Sequence, residues 1–188
     1  VGNRAADVGR VPETDGMKVA IDARWIFREI SGIDNCTREL LRHLPRLDES
    51  IDYLVIFCDP VVSARTRAFA ELDERPNVRT RLVEYGVFSP RGQFTLGPLL
   101  RREGCDVYHS PNYMIPLPAF PRGRPGAVRC VVTFHDVIPL LFPDHAPRSR
   151  KTRLYRLYRA IMREVGRRAD AIVTVSEASR RDVIRELR

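Results

Sequence analysis

The sequence is short of lysine. Of its 32 cationic residues only Lys18 and Lys151 are lysines, and every other one is arginine. It contains no run of 18 apolar residues, so no transmembrane helix is expected. No apolar stretch lies near the N-terminus, so no secretory leader is expected. The four cysteines, Cys36, Cys58, Cys105 and Cys130, never stand as Cys-x-x-Cys. That spacing argues against a zinc site and for reduced, mostly buried thiols. No Gly-x-Gly-x-x-Gly run follows a strand, which argues against a dinucleotide dehydrogenase. A phosphate loop ending in Gly-Lys-Ser/Thr and a Gly-x-Ser-x-Gly elbow are missing too.

What is present is the pattern of an α/β domain. The 188 residues are 44% hydrophobic and 30% charged, as in ordinary globular chains. One stretch dominates. Cys130 to Phe134 is a short apolar, β-branched run, the mark of a buried strand in a parallel sheet. It ends abruptly at His135 and Asp136. In open α/β sheets ligands bind beyond the carboxyl ends of the strands, at the switch point, and this pair is expected there. A capping role alone is the plainer reading of the same two residues.

Further strands are expected over 17–21, 53–58, 78–83, 106–109 and 171–175. Helices are expected over 34–44, 62–72, 93–102, 148–168 and 177–187. Pro45 is expected to end the first helix, and Gly97-Pro98 to weaken the third. Residues 1–16 read as a disordered extension ahead of the domain at 17–188. Alternation of strand and helix along the chain predicts βαβ units and a doubly wound, mostly parallel sheet with helices on both faces.

Four strand ends carry polar groups: Asp22 with Arg24, His109 with Ser110, His135 with Asp136, and Ser176 with Glu177. A parallel sheet places them along one edge, where helix N-termini favour phosphate. Gly32 opens the first helix, where backbone can approach a ligand closely. Ser176 is positioned to cap the last helix.

Charge is uneven. Residues 146–169 hold nine basic residues and one acid, Glu164, so the whole +8 of the chain lies there. On the expected helix, Leu154, Leu157, Tyr158, Ile161, Met162 and Val165 form one face. Arg153, Arg156, Arg163 and Arg167 form the other. On the polar face no aromatic residue interleaves with these arginines, and Tyr155 and Tyr158 lie towards the apolar side, which argues against nucleic acid. An anionic membrane surface and a simply solvated helix face both remain open.

Taken in order, Ile21–Phe27 (IDARWIF), Ser31–Ile33 (SGI), Thr37–Leu40 (TREL), Asp106–Tyr113 (DVYHSPNY), Val131–Leu140 (VVTFHDVIPL) and Ala169–Val183 (ADAIVTVSEASRRDV) resemble a known pattern. It is that of the N-terminal domain of a family 4, GT-B fold glycosyltransferase. The resemblance spans 17–188. It implies two Rossmann-like domains around a cleft, an acceptor site in this one and a nucleotide-sugar site in the other. It implies transfer with retention, a UDP- or GDP-sugar as substrate, and no metal or other cofactor in the chemistry. His135 would face the donor sugar and help stabilise an oxocarbenium-like transition state, with Asp136 orienting His135 or its loop. Gly32, Ile33 and Asp34 match the loop near the donor phosphates. Asp22, Arg24, Ser110, Asn112 and Tyr113 would lie on the acceptor side. A glycan or lipid-linked acceptor in bacterial cell-surface polysaccharide assembly is implied, with the protein in the cytoplasm or at the inner membrane face.

Two departures stand out. The family loop usually reads Gly-Ile-Gly-Arg-Tyr, and here Asp34, Asn35 and Cys36 replace its last three residues. Asp34 sets an anion where phosphate should approach. The sequence also ends where the linker to the donor half is expected, so this chain alone is not expected to catalyse transfer. The competing reading is therefore a truncated or degenerate, non-catalytic binding domain. A flavodoxin-like regulatory module would need an acidic cluster at the first strand's end, where Asp22 stands alone.

Overall fold

A computed structural model describes residues 16–29, 31–142 and 151–187, the first four of the last stretch by backbone alone. The expected extension at 1–16 lies almost wholly outside the described residues, as does the start of the arginine helix at 148–150.

Six strands form one sheet: β1 (Lys18–Asp22), β2 (Asp52–Phe57), β3 (Val78–Leu82), β4 (Val107–Ser110), β5 (Arg129–Phe134) and β6 (Ala171–Thr174). Every pairing is parallel and the order is β3-β2-β1-β4-β5-β6. The helices are α1 (Gly32–Leu47), α2 (Pro60–Ala70), α3 (Pro90–Arg102), α4 (Ile138–Leu141), α5 (Lys151–Arg168) and α6 (Glu177–Leu187). This is the doubly wound α/β, Rossmann-like architecture expected from the alternation of elements.

Successive residues of a strand point to opposite faces, so each buried strand feeds two cores. Leu54 and Ile56 of β2 join Ala20, Tyr108, Cys130, Val132 and Phe134 in a core that α3, α5 and α6 cover. Tyr53, Val55 and Phe57 join Ile21 in a second core under α1 and α2. Both faces of the central strands are buried, which is why they read as continuous apolar runs. Edge strands differ. β3 is largely exposed beyond Val78, and β6 exposes Ile172 and Val173.

Two helix bounds differ from expectation. Pro45 does not end α1, which runs on to Leu47. In the last turn its missing N–H removes only one bond, and its carbonyl accepts from Asn77 Nδ2 at 3.2 Å. Gly97-Pro98 does not break α3. A Cβ at Gly97 would meet Ala119 Cβ at 2.8 Å, so the glycine is there to let the turn at Leu117–Ala119 pack against the helix.

The Rossmann switch point falls between β1 and β4, where strand order reverses. His135 was expected at it and instead lies one strand away, at the end of β5.

Candidate functional site

The loops after β1 and β4 flank the switch point, and they are built on a buried ion pair. Arg24 grips Asp22 with two bonds, Nε to Oδ1 and Nη2 to Oδ2, both 2.7 Å. Asp22 is sealed from solvent and Arg24 is 3% exposed. Asp22 also takes the Arg24 backbone N–H, and the Tyr108 hydroxyl donates to its Oδ2 at 2.6 Å. Burial alone would lower the Arg24 pKa, and the Asp22 carboxylate overrides it and raises it above the ordinary value. Burial and then Asp22 raise Tyr108 in turn. Arg24 lies over the Tyr85 ring at 5.5 Å, while its Nη1 has no hydrogen-bond acceptor among the described residues. Gly92 keeps that space open, since a Cβ there would come within 3.2 Å of Nη1. Expected on the acceptor side, Asp22 and Arg24 therefore sit beneath the surface and shape it from below.

Ser110 is buried as well. Its Oγ accepts from Trp25 Nε1 at 3.2 Å and lies 2.5 Å from the Asn112 carbonyl and 3.0 Å from that of Met114. This pins the indole and folds the β4 loop back on itself. Buried Asn112 turns its Oδ1 to the Tyr113 N–H at 2.8 Å. Tyr113 then wedges between Trp25 and Tyr158 of α5, with ring centroids 5.6 and 5.5 Å away.

His135 is half-buried, and its Nε2 lies 3.0 Å from the Pro111 carbonyl. A carbonyl only accepts, so Nε2 must carry hydrogen, and in the neutral ring Nδ1 keeps its lone pair. Asp136 is exposed and does not bond His135. Its Oδ1 accepts the Ile138 N–H at 3.0 Å, so it shapes the loop into α4. Ser179 of α6 donates to the His135 carbonyl at 2.8 Å. Ser176 Oγ accepts the Ser179 N–H at 3.1 Å, which is the cap expected of it. Glu177 pairs outward with Arg180 at 3.0 Å.

The loop before α1 has its own logic. Ser31 is the N-cap and Asp34 the third helical residue of a capping box. Asp34 Oδ2 accepts the Ser31 N–H at 2.8 Å, and Oδ1 accepts that of Phe27 at 3.3 Å. The carboxylate is fully buried, so its charge is spent on backbone donors. The helix begins at Gly32 rather than at Asp34. A Cβ at Gly32 would meet nothing within 4 Å, so the protein's own packing does not demand that glycine. Ile33 stands half-exposed beside it.

Of the arginine helix, Tyr155 and Tyr158 pack inward as expected, with Tyr155 Oη donating to the Leu140 carbonyl at 3.3 Å. Leu157 does not, being 54% exposed between exposed Arg156 and Arg159. Arg163 is half-buried, and the side chains of Arg153 and Leu154 lie outside the described residues. Among the described residues no group of three or more His, Cys, Asp or Glu could hold a metal, and no helix is long and apolar enough to cross a membrane. Cys105 and Cys130 are buried, Cys58 half-buried and Cys36 exposed, all free. A cavity of about 280 Å³ lies away from this edge, between α3 and the loop entering β5.

Sequence reading missed Tyr108, Trp25, Ser179 and the Pro111 carbonyl. An aromatic hydroxyl two residues before Ser110 was a signal, because a buried carboxylate such as Asp22 needs donors. Ser179, three residues beyond Ser176, was another.

No curated protein sequence matches the chain significantly. The sequence model of Glycosyltransferase Family 4 matches residues 30–188, which include β2 to β6, the Ser110–Tyr113 loop and His135. With a six-stranded parallel Rossmann-like sheet beneath that match, this chain belongs to glycosyltransferase family 4.

Proposed function

We propose that this chain is the acceptor-side domain of a retaining glycosyltransferase that moves a sugar from a nucleotide-sugar to a glycan or lipid-linked acceptor. The single observation that carries the reading is His135. It stands at the carboxyl end of a parallel strand, fixed by Pro111 through Nε2 and by Ser179 through its backbone, with Nδ1 left to accept a hydrogen bond. A sugar hydroxyl on the donor would supply that bond, and its polarisation would favour positive charge at the anomeric carbon.

In this reading a second domain, in the same polypeptide or in a partner subunit, holds the nucleotide-sugar. No metal or other cofactor takes part in the chemistry. The α1 N-terminus, with Gly32, Ile33 and Asp34, faces the donor phosphates. Ser110, Asn112 and Tyr113 support the acceptor side, with Asp22 and Arg24 beneath them. The protein works in the cytoplasm of a bacterium, in cell-surface polysaccharide assembly, with the arginine face of α5 against anionic lipid.

The test is donor hydrolysis and transfer by the chain joined to its donor domain, with UDP- and GDP-sugars. His135→Ala is expected to lower kcat about a hundredfold or more with a smaller change in KM. An unchanged kcat would remove His135 from the chemistry. No turnover with any nucleotide-sugar would favour the non-catalytic binding domain.

A further inference from the structure

Two phenylalanine rings stand exposed over the switch point with no core to join. Phe27 follows the turn after β1, and Phe88 lies in the loop after β3, 44% and 59% exposed. Both rest edge-on against the same buried ring, Trp25. The centroid distances are 6.4 and 5.5 Å and the interplanar angles 85° and 82°. Tyr113, from the loop after β4, meets Trp25 as well. Three loops that share no local sequence thus bring aromatic rings to one place beside the switch point. The place is rigid, because Trp25 is buried and its Nε1 is bonded to Ser110.

The cations next to these rings in the chain are matched, while exposed Glu29 has no partner among the described residues. Arg28 Nε is 2.8 Å from Asp59 Oδ2, and Arg91 Nη1 is 3.6 Å from Glu84 Oε2. An anionic headgroup or an acidic peptide would look for unmatched cations here. A bare hydrocarbon chain would not call for charges around it. A neutral polyol fits both features. Its C–H face covers an aromatic ring without stranding a polar group. Its rim of hydroxyls finds donors and acceptors in the exposed ion pairs and a further acceptor in the Glu29 carboxylate.

We propose that Phe27 and Phe88, standing on Trp25, form a stacking platform for the uncharged pyranose ring of a glycan acceptor. This rests on the glycosyl-transfer reading and names the acceptor class within it.

Trp25 is the single tryptophan of the chain, so its fluorescence reports on the platform directly. The chain is titrated with methyl glycosides of glucose, galactose and mannose, and with maltotriose and cellotriose. At least one neutral sugar is expected to change Trp25 emission saturably. Phe27→Ala and Phe88→Ala are each expected to weaken that binding about fivefold or more. Both sites are exposed, so far-UV circular dichroism should not change. Phe94→Ala, which removes an exposed α3 ring outside the cluster, serves as the control and is expected to bind normally. Absence of any sugar response overturns the proposal, as does wild-type binding by both alanine variants. A response to dodecyl glycosides but not to their methyl counterparts also overturns it, since the occupant is then an alkyl chain. None of these measurements needs a donor. Turnover of nucleotide-sugar without sugar binding here would sink the platform and leave the transferase reading standing. Sugar binding without turnover would do the reverse.

Discussion

Nε2 of His135 lies 3.0 Å from the carbonyl oxygen of Pro111, across the gap between the ends of β5 and β4. The contact dictates which ring nitrogen carries hydrogen in the neutral imidazole. In ¹⁵N spectra of the neutral ring, the Nε2–H tautomer is expected to dominate. A dominant Nδ1–H form would show that the Pro111 contact does not hold in solution.

The Asp22–Arg24 pair is expected to be structural. Arg24→Met leaves a buried carboxylate with only Tyr108 and backbone for partners, at a cost of about 3–5 kcal/mol. Arg24→Lys should recover little, because a lysine cannot supply the two-bond fork. Tyr108→Phe should cost about 1–3 kcal/mol by removing a buried donor. Urea unfolding checks all three, and near-neutral effects would mean that water reaches the pair.

Acid should weaken the fold through His109. Burial pushes its pKa down to about 4, against the opposing pull of Asp22, and its Nε2 meets Thr133 Oγ1 at 2.8 Å. The folded state therefore resists a proton that the unfolded state accepts from about pH 6.5 downward. Stability is complete above that value and is lost as pH falls towards 4, by on the order of 1–3 kcal/mol. His109→Gln should flatten this part of the stability profile, measured by denaturant titration at pH 7 and 4.5.

Asp34 serves two ends that a substitution separates. Asp34→Gly should destabilise the chain by about 1 kcal/mol through loss of the capping box. Under the proposed transferase reading, in the chain joined to a donor domain, it should tighten nucleotide-sugar binding, because an anion leaves the loop proposed to face the phosphates. Calorimetric titration with donor decides it, and unchanged affinity would show that phosphate lies elsewhere.

On α5, Leu157 stands exposed between Arg156 and Arg159, the arrangement of a residue that dips into a lipid interface. Under the membrane reading, the chain should sediment with anionic but not neutral vesicles, and high salt should release it. Replacing both arginines by glutamate should abolish binding, and sedimentation that ignores salt would count against this face.

Much of the fold was legible. The apolar runs at Cys130–Phe134 and 53–58 marked central strands, because strands buried on both faces admit little but apolar residues, and the exposed edge strand β3 showed instead by alternation. Ser176 announced its cap through local chemistry alone. Pro45 and Gly97-Pro98 misled, because a proline in a last turn loses little and a glycine under Ala119 answers to a neighbour twenty-two residues away. His135 was legible as a strand-end group but not its place, since strand order is not written in strand sequence.

The sequence by itself determined the elements, the parallel class and the set of polar strand ends, all of which follow from period, propensity and alternation along the chain. Only the tertiary structure decided which of those ends are usable. It buried Asp22 with Arg24 under Tyr108, and it turned Asp34 onto backbone donors. It brought Phe27, Phe88 and Tyr113 to one tryptophan from three separate loops. Burial and pairing depend on what the rest of the chain places alongside a residue, and such neighbours are set by the parallel register of β1 with β4 and β4 with β5.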